Sequence, residues 1–121
     1  MSKLGTVTYY KKKADTLVSK ITRARGKCER CGVTSGVQFQ TAHIIGRFNH
    51  TLRFDLQNVL CLCANCHRWN HTYPIDFAKW VKKKYPNRVK YLDINKNQIT
   101  KRNALIYKEL CDTLQEKLNA K

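Results

Sequence analysis

The sequence predicts a small α+β domain, a cysteine-stapled centre with a short strand held between basic helices. Three observations predict it. Apolar residues recur at helical spacing near both ends of the chain, one central stretch alternates as a strand does, and two Cys-x2-Cys pairs bracket that stretch. At 121 residues and 14.2 kDa the chain is read as one domain, 1–121, with a motif core at about 26–73 and basic helical flanks at 1–25 and 74–121.

The elements are expected in the following order. From about Thr6 to Arg25, Tyr10, Ala14, Leu17, Val18 and Ile21 fall on one helical face with lysines opposite, and Gly26 ends the helix. Cys28-Glu29-Arg30-Cys31-Gly32 is a tight knuckle. Val37 to Ile45 alternates as a strand, and a loop containing Gly46 and Asn49 follows. Asp55 to Leu62 leads into the second cysteine pair, and Ala64 to His71 is helical. Beyond Pro74 a helix from about Ile75 to Lys84 presents Phe77, Trp80 and Val81. Ile106, Leu110, Leu114 and Leu118 stripe a final helix, as core or as a surface that could pair subunits into a homodimer.

Charge narrows the function classes. Lys+Arg number 24 against 8 Asp+Glu, a formal net charge of +16. Residues 1–30 hold nine basic and two acidic side chains, residues 31–70 three and one, residues 71–121 twelve and five. Two cationic flanks around a nearly neutral centre suit a polyanion laid across a central site, which points to nucleic acid. The longest apolar run, Val59 to Ala64, is far short of the roughly 20 residues a membrane span needs. No apolar stretch resembles a signal peptide, so the expectation is a soluble cytoplasmic protein with no membrane partner.

Six cysteines in such a chain point to metal rather than disulfides. Cys28-x2-Cys31 and Cys63-x2-Cys66 supply four thiolates in two turns, a standard way to close a tetrahedral shell around a structural Zn²⁺. Zinc binding would contribute folding energy that a small core lacks. Cys61 and Cys111 are left as small buried apolar residues. Of the four histidines, His43 ends the strand, and His67 and His71 are four apart, which on a helix puts both imidazoles on one face where they can hold a divalent cation. Asn58 lies just before the second cysteine pair.

The order Cys28-x2-Cys31, Ala42-His43-Ile44, Asn58, Cys63-x2-Cys66-His67 and His71 resembles the HNH endonucleases of the ββα-metal, treble-clef type. The stretch AHIIGRFNHTLRFDLQNVLCLCANCHRWNH more narrowly resembles phage-encoded HNH proteins of the NinG/Rap recombination-nuclease type, for which the compartment would be the host cytoplasm. The resemblance covers about residues 26–73 and leaves the flanks unexplained. It implies a metal-dependent DNA endonuclease of nicking, homing or junction/recombination type that leaves 5′-phosphate and 3′-hydroxyl ends. His43 would be the general base and Asn58 would orient its ring. His67 and His71 would hold a catalytic Mg²⁺ or Mn²⁺ that offsets charge on the phosphate and the leaving oxygen. Arg47, Arg53 and Arg68 are the expected phosphate contacts on duplex or branched DNA.

One position departs from the family pattern. Many members carry Asp or His immediately before the general base as a further metal ligand, and here that residue is Ala42. Phosphate oxygens and water could complete the shell, Asp55 or another acid could approach from the loop, or a noncatalytic zinc-stabilised DNA-binding module could remain. Phosphate attraction alone does not separate DNA from RNA, so RNA-directed binding or cleavage is a further alternative.

Overall fold

A computed structural model describes residues 4–120; Met1–Lys3 and Lys121, the outermost residues of the two flanks, lie outside the described residues. The elements are α1 (Val7–Arg23), β1 (Phe39–His43), a 3-10 turn (Leu56–Asn58), β2 (Val59–Cys63), α2 (Ala64–Thr72), α3 (Pro74–Lys84), α4 (Pro86–Asn95) and α5 (Ala104–Asn119). The α+β class holds. No helix among the described residues is long and apolar enough to cross a membrane.

β1 and β2 pair antiparallel, with Phe39 opposite Cys63, Thr41 opposite Cys61 and His43 opposite Val59. This two-stranded ladder lies between two apolar clusters. On one side Val59 joins Tyr10, Ala14, Leu17, Val18 and Ile21 of α1, Phe54, and Tyr107, Cys111 and Leu114 of α5. On the other, Leu60 and Leu62 join Ala42, Cys28, Cys63, Cys66, and Phe77 and Val81 of α3. All five residues of β2 are buried. Covered on both faces, β2 reads in the sequence as a continuous apolar run without alternation, which is why no strand is predicted there.

The helices start where their chemistry allows. The Thr6 hydroxyl accepts from the Tyr9 N–H at 3.1 Å and the Asn103 side chain accepts from the Ile106 N–H at 2.9 Å, so α1 and α5 are both capped. α3 and α4 each open on proline, which needs no hydrogen bond for its missing N–H in the first turn. The sequence reading stops at Lys84 and misses α4, since Pro86 reads there as a break and only Leu92 of this helix is fully buried. The final stripe also shifts. Tyr107, Cys111 and Leu114 are buried, Leu110 and Leu118 half-buried, and Ile106 is 43% exposed. Residues spaced by four advance about 40° beyond a full turn at each step, so a line from Ile106 to Leu118 drifts off the face it starts on. The face of α5 that packs in the α1 cluster is Tyr107, Cys111 and Leu114, with Leu110 and Leu118 at its edge.

Candidate metal centre and histidine site

Four sulfurs meet at the junction of the knuckle, β2 and α2. Cys63 ends β2 and caps α2, and Cys66 lies in the first turn of α2. The opposing turn is closed by the Gly32 N–H donating to the Cys28 carbonyl at 2.9 Å, with Gly32 at φ 82°, a backbone that other residues enter only with strain. The turn is docked on β2 by Glu29. Its N–H donates to the Cys61 carbonyl at 2.8 Å and its carboxylate accepts from the Cys61 N–H at 2.6 Å, from Arg25 at 2.9 Å and from the Tyr85 hydroxyl at 3.0 Å.

The thiol sulfurs of Cys28, Cys31, Cys63 and Cys66 all lie within 4.8 Å of one another, and the Cys31 and Cys63 sulfurs are 3.8 Å apart. A tetrahedral ion with metal–sulfur bonds of about 2.3 Å separates its ligands by about 3.8 Å, so the four cysteines can hold a structural metal such as zinc. Burial works to raise the Cys28 thiol, yet the N–H groups of Cys31, Cys63 and Arg30 outweigh it and draw it down to about 6. Burial and the neighbouring sulfurs of Cys63 and Cys28 push Cys66 up to about 12. The Cys28 thiolate forms readily and a charge on Cys66 beside it requires a cation, as a metal site demands. Cys61 and Cys111 are buried, as expected of apolar cysteines.

β1 sends Gln40 toward α2 and Thr41 toward α1, while the His43 and His67 rings stay close enough for their charges to act on each other. Gln40 and Ala42 face α2, where the Gln40 side-chain oxygen lies 2.5 Å from His67 Nδ1. That oxygen can only accept, so Nδ1 carries the proton and Nε2 keeps its lone pair. His67 Nε2 lies 3.2 Å from His71 Nε2. Two nitrogens about 2.1 Å from one ion are separated by about this distance when they subtend roughly 100° at it, so the pair fits a shared cation. Burial and the charges of His71 and His43 lower the His67 pKa.

Thr41 and His43 face α1. The Thr41 hydroxyl bonds the Ser19 hydroxyl, and His43 opens into a cavity of about 370 Å³ lined by Asp15, Ser19, Thr41 and Arg47 among others. His43 Nε2 lies 3.1 Å from the Arg53 carbonyl oxygen. A carbonyl only accepts, which puts the proton on Nε2 and leaves Nδ1 as the basic atom. Burial, aided by the charges of Arg47 and Arg53, lowers the His43 pKa below its usual 6.5 despite that bond and Asp15. The three rings are not one ligand set. Among the described residues the four cysteines are the only group of three or more His, Cys, Asp or Glu ligand atoms within 4.8 Å of one another.

Asn58 makes no hydrogen bond to the His43 ring. Fully buried, it accepts from the Ile45 N–H at 2.8 Å and donates to the carbonyls of Ile45 at 2.8 Å and Leu52 at 3.1 Å, while its own carbonyl accepts from the Ile44 N–H at 2.8 Å. It therefore shapes the loop whose Arg53 carbonyl fixes the ring.

The arginines require a correction. Arg53 makes a two-pronged bond to Asp15, Nε to Oδ1 at 3.0 Å and Nη2 to Oδ2 at 2.6 Å, and only 14% of its side chain is exposed. It is turned inward as a positioning residue, because a carboxylate within the fold occupies the fork a phosphate would need. Arg47 also reaches Asp15, at 2.9 Å, but 58% of its side chain is exposed. Arg68 is exposed on α2. Burial works against the Asp15 charge, but Arg53 and Arg47 together hold its carboxyl below the usual value. The loop acid raised as a replacement ligand, Asp55, is engaged elsewhere: it caps the 3-10 turn through the Gln57 N–H at 2.9 Å and accepts from the Tyr91 hydroxyl. Ala42 itself is fully buried beneath α2.

Gln40, Asp15 and Glu29 were missed in the sequence. A signal existed for the two acids, since they are the only ones among the first 30 residues, set among nine cations. No family model, no curated protein and no solved structure matches the chain, so its functional assignment rests on the residues themselves.

Proposed function

We propose that the chain is a metal-dependent DNA endonuclease of the HNH type, with the knuckle, β1–β2 ladder and α2 forming a zinc-stapled ββα-metal core of treble-clef kind. The observation that carries the reading is the pairing of a two-imidazole cation site on α2 with a separate, neutral imidazole whose tautomer is fixed. Fixing the proton on Nε2 by the Arg53 carbonyl leaves His43 Nδ1 to accept a proton from a water in the cavity below β1. Its lowered pKa keeps the ring ready for that role at neutral pH. Arg47, exposed at the mouth of the cavity, can exchange Asp15 for a phosphate oxygen.

His67 and His71 would hold the catalytic ion, which when bound supplies positive charge for the phosphoryl and leaving oxygens. Two imidazoles that, among the described residues, form no cluster with a third His, Cys, Asp or Glu ligand make a donor set better suited to Mn²⁺, Ni²⁺ or Zn²⁺ than to Mg²⁺. Gln40 would fix His67 in its ligating tautomer.

The test is cleavage of supercoiled plasmid across Mg²⁺, Mn²⁺, Ni²⁺ and Zn²⁺, comparing the parent with His43→Ala. Loss of cleavage with DNA binding and zinc content retained supports the reading; equal cleavage by both proteins removes His43 as the base. A noncatalytic zinc DNA-binding module is the second reading, favoured by the buried Ala42 and the engaged Asp55. Binding without cleavage by the parent in any of these ions would select it.

A further inference from the structure

The two most exposed large apolar side chains of the described residues are Phe48, 83% exposed, and Ile99, 88% exposed. They come from loops about fifty residues apart in the chain, yet they line one open groove of about 390 Å³. Brought to one groove, the two make a joint apolar surface of the kind that contacts between molecules use.

The loops are not slack. The Asn49 side chain donates to the Lys96 carbonyl at 2.8 Å, the Thr51 hydroxyl bonds the Gln98 carbonyl at 2.6 Å and the Thr100 hydroxyl at 2.7 Å, and Arg102 donates to the His50 carbonyl at 2.7 Å. The Phe48 ring lies across Gly46, where an added Cβ would stand 2.6 Å from it. Between residues 44 and 54, and again between 94 and 103, there is no acidic residue, while Arg47, Lys96, Lys101 and Arg102 supply positive charge, with Asp93 paired to Lys96 at 3.2 Å. Phe48 also follows Arg47 in the chain, and Arg47 lines the His43 cavity.

Resting on the endonuclease reading, we propose that Phe48 and Ile99 form an apolar wedge that enters an opened base step of duplex DNA, unstacking it and kinking the duplex across the His43 cavity. An apolar pair with Arg47 on one loop and Lys96, Lys101 and Arg102 on the other is complementary to this occupant: bases offer π-faces to Phe48, and the flanking phosphates meet the basic side chains. A single unpaired base lowers the cost of opening a step and should be preferred by such a wedge.

The experiment uses the full zinc-loaded chain with no added divalent ion, and short duplexes that are either continuous or carry one unpaired base beside a 2-aminopurine. The expected result is about tenfold tighter binding to the interrupted duplex, with a rise in 2-aminopurine fluorescence. The double variant Phe48→Ala, Ile99→Ala should bring that preference below about threefold and remove the fluorescence rise, while its salt slope on the continuous duplex stays at the parent's value because no charge is lost. Both side chains being exposed, its thermal midpoint should match the parent's. A variant that keeps the preference, or a parent that binds continuous duplex without any, overturns the wedge and leaves the endonuclease reading standing. A parent that binds neither DNA overturns both. Self-association of the parent that the variant abolishes would assign the groove to a second copy instead.

Discussion

Replacing Asn58 with alanine tests how the loop after β1 is held. The substitution removes three side-chain hydrogen bonds at once, to the Ile45 N–H, the Ile45 carbonyl and the Leu52 carbonyl, from a residue with no exposure to water. At about 1 kcal/mol for each lost bond the cost is about 3 kcal/mol, rising toward 5 if the backbone groups stay unpaired in the interior. With a urea dependence of about 2 kcal/mol per molar for a chain of this size, the unfolding midpoint should fall by about 1.5 M. Against the 5–15 kcal/mol typical of a domain, this variant should still fold, so that its loop can be assayed. Asn58→Asp keeps the acceptor for the Ile45 N–H but sets carboxylate oxygens against two carbonyl oxygens, and should cost at least as much. The measurement is urea unfolding of zinc-loaded protein followed by tryptophan fluorescence. A midpoint shift under about 0.3 M in both variants would refute the reasoning, since it would mean that water replaces these bonds without loss.

Removing zinc with a chelator should unfold the centre, because structural zinc contributes about 10–16 kcal/mol and domain stability seldom exceeds that. The near-ultraviolet signal of Trp69 reports it directly: Arg30 lies 3.6 Å above that ring and donates to the Cys66 sulfur, and a chelated protein with an unchanged signal would contradict a structural role for the metal. The rate of plasmid cleavage should follow the protonation of His43, whose surroundings include Asp15, Arg47, Arg53 and His67. Its pKa is lowered, so the base is neutral above a point that lies under 6.5, and the acid limb of the pH profile should fall below that value; a limb centred above 7 would show that another group controls the rate.

The features legible in the sequence are those set by neighbours along the chain. The Cys-x2-Cys turns converge their own sulfurs, and the four-residue spacing of His67 and His71 puts both imidazoles on one side of α2 wherever that helix is docked. The apolar face of α1 follows from periodicity in the same way, with helix ends off by one or two residues. What periodicity cannot carry is the pairing of distant segments. The β1–β2 register sets Asn58 against Ile44 and Ile45. The docking of α1 brings Asp15 to Arg53, and the docking of α2 brings His67 to Gln40.

The sequence by itself therefore determined the cysteine pairs that can hold a metal and the paired imidazoles, because a turn and a helix impose their geometry within four residues. Only the tertiary structure decided that Arg53 faces inward, that His43 carries its proton on Nε2, and that Asp55 is engaged by the Tyr91 hydroxyl. Each of those depends on which hydrogen-bonding group a separate element brings within about 3 Å, and no local spacing encodes that distance.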